Sequence, residues 1–465
     1  MKKQHATELH RGLEERHITL MSLGAAIGVG LFLGSTSAIK MAGPAILLAY
    51  ALAGAAMFII MRALGEMAIQ NPVAGSFSRY ARDYLGPMAG YLTGWNYWFL
   101  WIITCMAEIT AVGVYMQFWF PDSPQWLWAL AALIIMGAVN LIAVKVYGEL
   151  EFWFALIKIV TIILMIVVGL GMIIFGFSNG GVPVGISNLW SHGGFMPNGF
   201  TGILMSMQMV LFAFLGIEMI GVTAGEVKNP EKSLAKAIDT VLWRILIFYV
   251  GALFVILSIY PWNGLEGKGS PFVMTFDRLG IPYAAGIINF VVLTAALSSC
   301  NSGIFSTGRM LFNLAQQKEA PQSFKKISKS GVPNAAILAS AGALLIGVLL
   351  NYIVPAKVFQ WVTSIGTFGA IWTWAVILLA QIRYRKSLKA EQVHNLKYKM
   401  PMFPFSSYIT LAFLIGVVGV MAYFPETRIA LIVGPAWYLI LVIFYFAKGL
   451  HKRPHGEAAQ TENTP

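Results

Sequence analysis

Three ionisable side chains lie deep inside apolar stretches, where they could bind a polar ligand or carry a proton. Glu108 lies in TCMAEITAVG, Lys158 in WFALIKIVTI and Glu218 in FLGIEMIGV. A charge at the centre of a bilayer costs at least about 2.5 to 3.5 kcal/mol, so each must face a polar interior and have a partner. A protonated carboxyl could simply tie two helices together. A buried lysine is harder to explain by packing, and it is either a fixed cation or a proton carrier.

Glycines interrupt two of the apolar stretches, at residues 26–30 (AIGVG) and at residues 214–218 (FLGIE). Because glycine destabilises a helix by about 1 kcal/mol relative to alanine, each site permits an unwound turn. Amide groups freed there can hold a carboxylate, and freed carbonyl groups can hold an ammonium. Close packing through small residues is the alternative interpretation. The occurrence of the pattern in two stretches favours ligand binding.

A third polar feature is LTAALSSCNSG, which contains Ser298, Ser299, Asn301 and Ser302. Such hydroxyls commonly bond to carbonyls of their own helix, and they gain a functional meaning only if they face Lys158. No histidine lies in an apolar stretch, and the two cysteines are isolated from each other in the sequence. We therefore expect neither a metal site nor a cofactor, and no phosphate-binding motif indicates ATP-driven transport.

Composition indicates the elements that position these residues. The chain has 465 residues, of which 58% are hydrophobic and 11% are charged, against about 25% charged residues in soluble proteins. This excludes a soluble enzyme and a disordered chain, and it indicates an all-α polytopic membrane protein. Twelve spans are predicted, near residues 18–39, 44–67, 88–119, 126–146, 152–175, 200–222, 244–260, 284–314, 333–353, 358–382, 404–424 and 428–448.

Basic residues predict the orientation of the spans. With the amino terminus inside, 26 of the 32 Lys and Arg residues fall on the cytoplasmic side, so both termini are predicted to be cytoplasmic. The positive charge then faces membrane lipids, and nucleic acid is not an expected partner. The predicted segments are a tail at 1–17, a five-helix repeat at 18–176, an outer loop at 177–199, a second five-helix repeat at 200–383, a cytoplasmic loop at 384–403, two closing helices at 404–448 and a tail at 449–465.

Each predicted five-helix repeat begins with one of the glycine-interrupted spans. Because five is an odd number, the second repeat would be inverted in the membrane relative to the first. Inverted repeats that begin with broken helices are typical of alternating-access transporters. The residues therefore predict a transporter with discontinuous first and sixth spans.

Longer motifs support this prediction. RGLEERHITLMSLGAAIGVGLFLGS, NPVAGSFSRYA, YGELEFWFALIKI and FLGIEMIGVTAGEVKNPEKS closely resemble sequences of the bacterial amino acid permeases of the amino acid-polyamine-organocation superfamily. The resemblance covers roughly positions 11 to 450. Within the superfamily, the chain is similar to the group of proline-specific, threonine/serine, histidine, aromatic and D-alanine/D-serine/glycine permeases. The resemblance implies a leucine-transporter-like fold of two inverted five-helix repeats.

The resemblance also implies roles for individual residues. The amides of Val29 and Gly30 would bind the substrate carboxylate, and Gly28 would permit the turn. Phe212 would act as an inner gate over the substrate, and carbonyl groups would receive the ammonium. Those carbonyls belong to Ala26, Phe212 and Leu215, and the other expected substrate-binding residues are Ile27, Thr104, Glu108, Phe214 and, less directly, Thr367.

Lys158 matches a lysine of proton-coupled relatives that stands where sodium-coupled relatives hold an ion, beside Ser298 and Ser299. The resemblance therefore implies proton coupling, with Glu218 as a second residue on the proton path. The leading hypothesis is a proton-coupled symporter in a bacterial inner membrane that imports a neutral or histidine-like amino acid, such as proline, threonine, serine, alanine or histidine. An exchanger of the same fold and an amino acid sensor are the alternatives. The substrate and the oligomeric state stay open.

Overall fold

The structure is a computed structural model that describes residues 27–72, 76–142, 144–177, 179–222, 230–265, 269–278, 283–328 and 331–452. Throughout these ranges every regular element is a helix, and they contain no strand. The prediction of an all-helical chain is confirmed for this part of the protein. Ala26, the predicted tail at 1–17 and residues 453–465 lie outside the described residues.

Most α-helices are long, and short ones occur beside the interruptions. In chain order they are α1 (Val29–Phe32), α2 (Gly34–Ala42), α3 (Ile46–Gln70), α4 (Ser76–Leu85), α5 (Pro87–Met116), α6 (Gln125–Ile142), α7 (Val144–Phe175), α8 (Gly199–Phe212), α9 (Met219–Val222), α10 (Pro230–Arg244), α11 (Ala252–Ile259), α12 (Pro271–Arg278), α13 (Ala284–Gln316), α14 (Asn334–Ile353), α15 (Pro355–Ser387), α16 (Ala390–His394), α17 (Phe405–Tyr423) and α18 (Ala430–Ala447). A π-helix, Ile245–Gly251, joins α10 to α11. Single 3₁₀ turns lie at Gly43–Ala45, Ser187–Leu189, Trp262–Gly264, Gln322–Lys325, Pro425–Thr427 and Leu450–Lys452.

Helices long and apolar enough to cross a bilayer dominate the described chain. They form nine such stretches, at Gly34–Gln70, Pro87–Met116, Gln125–Ile142, Glu151–Phe175, Ala284–Gln316, Asn334–Ile353, Pro355–Ser387, Phe405–Tyr423 and Pro425–Ala447. Two shorter apolar helices, Gly199–Phe212 and Leu246–Ile259, accompany them. About 20 apolar residues suffice to span the hydrocarbon region. The protein is therefore a polytopic membrane protein.

Three helices form the centre of the bundle. The membrane-spanning parts of α5, α13 and α15 are mostly buried, whereas those of α7, α17 and α18 are mostly at the surface. The central helix α5 packs along both α13 and α15. Gly303 permits the first of these contacts, since an added Cβ there would lie 2.1 Å from Cys105 Sγ. Small residues at helix crossings commonly allow such close approach in membranes.

A buried ion pair fastens one end of the bundle. The carboxylate of Glu66, in α3, accepts hydrogen bonds from Arg385 Nη2 at 2.6 Å and Arg385 Nε at 2.9 Å. Gln381 Nε2, at 2.9 Å, and the Met400 amide, at 2.6 Å, donate to the same carboxylate. Both carboxylate oxygens are thus satisfied by charged or amide donors. The cluster joins α3 to α15 and to the segment that precedes α17.

Candidate functional site

The predicted first interruption falls where the described chain begins, so only its side from Ile27 onward is described. Gly28 is extended (φ −119°, ψ −163°), and α1 starts at Val29. The Gly28 carbonyl accepts the amides of Leu31 and Phe32 at 3.2 and 3.4 Å. The first amides of a helix have no partner within it. The amides of Val29 and Gly30 therefore sit at the start of a helix, where they can reach an anionic group.

The second interruption separates α8 from α9. Residues 213–218 form successive turns, in which the Leu215 amide donates to the Phe212 carbonyl at 3.1 Å. Gly216 has a φ of +93°, a conformation that favours glycine because other residues are strained by their Cβ. The Tyr249 hydroxyl donates to the Ala213 carbonyl at 2.9 Å. One carbonyl released by the interruption is thus satisfied by the neighbouring π-helix.

The two interruptions touch each other inside the bundle. An added Cβ at Gly30 would lie 2.6 Å from Ala213 Cα and 3.0 Å from the Ala213 nitrogen. Those are backbone atoms, so only a glycine allows this approach. Val29, Gly30, Phe212 and Ala213 are all buried. The polar backbone groups of both breaks therefore meet in one enclosed region.

Glu108, in α5, faces the first interruption. An added Cβ at Gly28 would lie 2.8 Å from Glu108 Oε1 and 3.1 Å from Ser299 Oγ. The Val29 amide and the Ser299 hydroxyl both hydrogen-bond to the Glu108 carboxylate. The side chain is 3% exposed. Glu108 therefore holds the same amide that the sequence predicts for the substrate carboxylate.

Lys158, in α7, is a fully buried cation with two carboxylates as electrostatic partners. These are Glu151 and Glu108. Glu151 is 1% exposed, and Ser298 Oγ donates to its Oε1 at 2.8 Å. The consecutive serines of α13 thus serve different carboxylates, because Ser298 binds Glu151 and Ser299 binds Glu108. Lys158 and the two serines thus lie around the same two carboxylates.

Glu151 is a residue that the sequence reasoning missed. The fifth predicted span begins at residue 152, so Glu151 falls just outside it. Two signals could have found it. It lies seven residues before Lys158, which is two helical turns and hence the same face of α7. It is also followed directly by an apolar run, EFWFALIKIV, in which a charge needs a partner.

Glu218 lies in different surroundings from Lys158. Trp374 Nε1 donates to Glu218 Oε2 at 3.3 Å, and Tyr97 adjoins the same carboxyl group. Glu218 is 1% exposed and directly precedes α9. The structure therefore separates two residues that the sequence grouped as proton carriers, by placing Glu218 among aromatic side chains.

Several predicted binding residues are occupied by packing contacts. Thr104 Oγ1 donates to the Leu100 carbonyl of its own helix at 2.8 Å. The Phe214 ring stacks on Tyr249, with centroids 5.0 Å apart. Phe212 adjoins Gly366 of α15, where an added Cβ would lie 3.2 Å from Phe212 Cε2. Ile27 and Leu215 are buried beside the interruptions.

A polar contact and a cavity lie on the α8 side of the site. Gln208 Nε2 donates to Thr367 Oγ1 at 3.1 Å and so joins α8 to α15, one turn before Phe212. Sequence reasoning did not select Gln208, although an amide within an apolar helix is a usable signal. A cavity of about 470 Å³ is lined by Gln208, Lys40 and Gln360, among others.

The described residues contain neither a group suited to hold a metal ion nor a disulfide bond. Within those ranges, no group of three His, Cys, Asp or Glu side chains could hold a metal ion. Cys105 and Cys300 are buried free thiols, and Cys105 Sγ lies 3.7 Å from the Cys300 carbonyl oxygen.

The fold and these contacts define a class: a polytopic helical membrane protein in which the start of α1 meets the break between α8 and α9 at a buried polar site. The family described as "Amino acid permease" matches residues 17–455. The chain therefore belongs to the amino acid permease family, within the amino acid-polyamine-organocation superfamily. Members of this family are transporters, so the protein is a transporter and not an enzyme.

Sequence similarity to other permeases and transporters extends over almost the whole chain. The "Uncharacterized amino acid permease YtnA" of Bacillus subtilis (strain 168) is 74% identical over 460 residues, 99% of each chain. The "Probable threonine/serine transporter YbxG" of the same organism is 52% identical over 98% of each chain. The "Aromatic amino acid transport protein AroP" of Escherichia coli O6:H1 is 46% identical over 96% of this chain and 97% of the relative.

Proposed function

We propose that this permease is a proton-coupled symporter that imports a neutral or histidine-like amino acid by alternating access. The observation that carries the proposal is the buried cation Lys158 beside two carboxylates, one of which reaches the first helix interruption. A lysine at this depth supplies a fixed or transferable proton where a sodium-coupled carrier would need oxygen ligands for the ion. Protons are therefore the coupling ion that these side chains favour.

The carboxylate and ammonium groups that all amino acids share are complementary to the backbone groups at the two interruptions. Its carboxylate would bind the amides of Val29 and Gly30, at the positive end of α1. Its ammonium would bind carbonyl groups of Ala26, Phe212 and Leu215. The contact between Gly30 and Ala213 supports this arrangement, because it brings the backbone of the two breaks close together. Phe212 would close over the bound amino acid.

Glu108 takes part in both substrate binding and proton movement. Its carboxylate holds the Val29 amide, which is also the proposed partner of the substrate carboxylate. Two carboxylates cannot share one donor in a buried site without strong repulsion. The arriving substrate therefore displaces Glu108 from Val29 and turns it toward Lys158. This displacement links the occupancy of the site to the charge state of the Lys158 cluster.

Glu108 also bears on the choice of substrate. A carboxylate at the first interruption favours a side chain that donates a hydrogen bond, such as the hydroxyl of threonine or serine. The relative YbxG, described as a probable threonine/serine transporter, agrees with that preference. The relative AroP is described as an aromatic amino acid transport protein. We rank hydroxyl-bearing amino acids first, and alanine, proline, histidine and aromatic amino acids after them.

The proposed membrane arrangement has twelve spans in a bacterial inner membrane, with both termini in the cytoplasm. Ten of the spans form two inverted five-helix repeats, each of which begins with an interrupted helix. The six-residue gap between α8 and α9 supports a discontinuous sixth span. The distribution of Lys and Arg in the sequence supports the orientation. Glu151 would then lie nearer than Lys158 to the cytoplasmic end of α7.

The test is uptake of labelled amino acids into proteoliposomes that contain the full chain. The panel begins with threonine and serine and continues with alanine, proline, histidine and the aromatic amino acids. Each amino acid is offered with an inward proton gradient, with an inward sodium gradient, and with a protonophore. We expect accumulation under the proton gradient, its loss with protonophore, and no accumulation in protein-free vesicles.

The other outcomes would redirect the assignment. Accumulation driven by sodium alone would remove proton coupling from the proposal. Exchange of internal for external amino acid at equal pH, without gradient-driven accumulation, would identify an exchanger of the same fold. Saturable binding without any flux would favour an amino acid sensor.

A further inference from the structure

We propose that Glu151 is a proton-coupling residue, the acceptor that takes a proton from Lys158, which Glu108 then replaces. This inference rests on the proposed function and names the inner half of its proton path. The sequence analysis assigns no role to Glu151. It emerges from three features of the described structure, which are its place on α7, the charge count of the cluster and the hydrogen bonds of its two oxygens.

Glu151 and Glu108 are both within electrostatic reach of Lys158. Seven residues separate Glu151 from Lys158, which corresponds to about 10.5 Å along one face of α7. A lysine side chain is long and flexible enough to turn toward either end of that distance. Both carboxylates act electrostatically on its ammonium group. Lys158 can therefore exchange one carboxylate for the other through rotations of its own side chain.

The charge count of this cluster is unbalanced. Two carboxylates face one ammonium, so the fully ionised cluster carries an excess negative charge in a buried place. Such a charge is costly unless a proton neutralises it. With one proton on either Glu108 or Glu151, the cluster is neutral. The neutral cluster therefore carries one transferable proton, bound to either Glu108 or Glu151.

The hydrogen bonds leave a place for that proton. Ser298 donates to Glu151 Oε1, and Ser302 and Asn301 adjoin the same carboxyl group, while Glu151 Oε2 is buried without a hydrogen-bond partner within the described ranges. Glu108 Oε2 shares this condition. Buried oxygens without a donor are unfavourable as part of a carboxylate. Protonation of either carboxyl group removes the negative charge that these oxygens would otherwise carry without a donor.

Other ionisable groups around Glu151 are few. The elements that pack along α7 are α13, α11, α6 and the π-helix. In their described residues the only full charge is Arg309 of α13, whose guanidinium lies over the Phe305 ring, 3.3 Å from its centroid. Tyr249 donates to a backbone carbonyl, and Cys300 is a buried thiol. On α7 itself, Glu149 is partly exposed. Lys158 is therefore the cation that governs Glu151.

The transfer balances in two steps. First, the Lys158 ammonium gives a proton to the Glu151 carboxylate, so that one N–H bond breaks and one O–H bond forms. The neutral Lys158 amine then takes the proton of the Glu108 carboxylic acid and becomes an ammonium again. The net result is one proton moved from Glu108 to Glu151. Release of that proton from Glu151 to water at the nearer end of α7 completes its passage.

The test compares Glu151→Gln with wild type and with Glu149→Gln in proteoliposomes. Glutamine keeps the size of the side chain and an oxygen for Ser298, but it cannot carry a proton. We expect Glu151→Gln to lose proton-driven accumulation, to the level of protein-free vesicles. We expect it to retain equilibrium binding of labelled substrate and exchange at equal pH, since neither requires net proton movement. Glu149→Gln should behave as wild type in all three assays.

Glu151→Asp provides the second variant, because it keeps the titratable group on a shorter stem. We expect Glu151→Asp to retain gradient-driven accumulation at a reduced rate. Full accumulation by Glu151→Gln would overturn the role of Glu151 and leave the proposed symport intact. Joint loss of binding and exchange in both variants would assign Glu151 a structural role and reject the inference. Absence of proton-driven uptake by wild type would reject the proposed function itself.

Discussion

Two buried carboxylates at different places in this bundle have opposite surroundings. Glu66 is matched by the Arg385 guanidinium, with Gln381 and the Met400 amide completing its hydrogen bonds. Glu151 accepts a hydrogen bond from Ser298 and adjoins Ser302 and Asn301, keeps one oxygen without a donor in the described structure, and shares Lys158 with Glu108. The first carboxylate is balanced in charge and satisfied in hydrogen bonding. The Glu151 carboxylate is neither balanced in charge nor satisfied in hydrogen bonding, although both residues are 1% exposed.

Buried charge can therefore serve two purposes in this membrane protein, one structural and one tied to proton movement. A bidentate arginine–carboxylate pair fixes a geometry and binds its partners in a single arrangement. A cation shared by two carboxylates has two arrangements of similar character, and a proton decides between them. We infer that the Glu66 cluster fixes one end of the bundle, whereas the Lys158 cluster changes state during transport. The following variants test that contrast, beginning with the largest expected effect.

Lys158→Met should abolish accumulation driven by a proton gradient while sparing substrate binding. Methionine fills much of the lysine volume but can neither carry a proton nor pair with the carboxylates. The measurement is uptake into proteoliposomes together with equilibrium binding of labelled substrate. Lys357→Met, at an exposed position of α15, is the matched control and should transport normally. Retained proton-driven accumulation in Lys158→Met would remove this lysine from the mechanism.

Glu66→Gln should act on stability rather than on coupling. Removing one partner of a buried ion pair costs about 3–5 kcal/mol, because the Arg385 charge is left without its carboxylate. We expect a Tm lower by several degrees in detergent, with proton-driven uptake retained at temperatures where the variant is folded. Glu391→Gln, at an exposed position of α16, should leave the Tm unchanged. Loss of coupling in a folded Glu66→Gln protein would contradict a purely fixed role for this cluster.

Gly30→Ala should weaken substrate binding by forcing the two interruptions apart. The new Cβ would meet Ala213 Cα at 2.6 Å, and a backbone atom cannot rotate away. Overpacking of this kind costs about 1–3 kcal/mol, so Kd should rise by about tenfold or more. Gly342→Ala, on α14 where no atom lies within 4 Å of an added Cβ, is the control. Unchanged affinity in Gly30→Ala would separate substrate binding from the contact between the interruptions.

Thr104→Val should have the smallest effect, although Thr104 is a predicted binding residue. Its hydroxyl already donates to the Leu100 carbonyl, and a hydrogen bond of this kind contributes about 1 kcal/mol, or about fivefold in Kd, at most. Thr93→Val is the matched control, because Thr93 donates to Ala89 in the same way elsewhere on α5. A loss of affinity far beyond that of Thr93→Val would place the Thr104 hydroxyl on the substrate.

Sequence reasoning was most successful where a single stretch of chain contains the physical cause. Continuous apolar runs with few charges require helices in a membrane, since backbone groups must be satisfied internally. The glycine at position 216 likewise indicates a break in a helix, because glycine readily adopts the positive φ of +93° found there. The need of Glu108 and Lys158 for partners also follows from their own surroundings in the sequence. Family membership was visible in motifs spread along the whole chain.

The sequence alone determined that this is a helical membrane transporter with buried charges and two glycine-interrupted segments. Tertiary structure alone decided which buried groups face each other. Ser298 and Ser299 are neighbours in the chain yet bind different carboxylates, because successive helical residues point about 100° apart. Glu218 and Lys158 looked alike in the sequence, but one joins Trp374 and the other joins Glu151. Such pairings depend on the rotation and tilt of separate helices, which no local pattern of residues encodes.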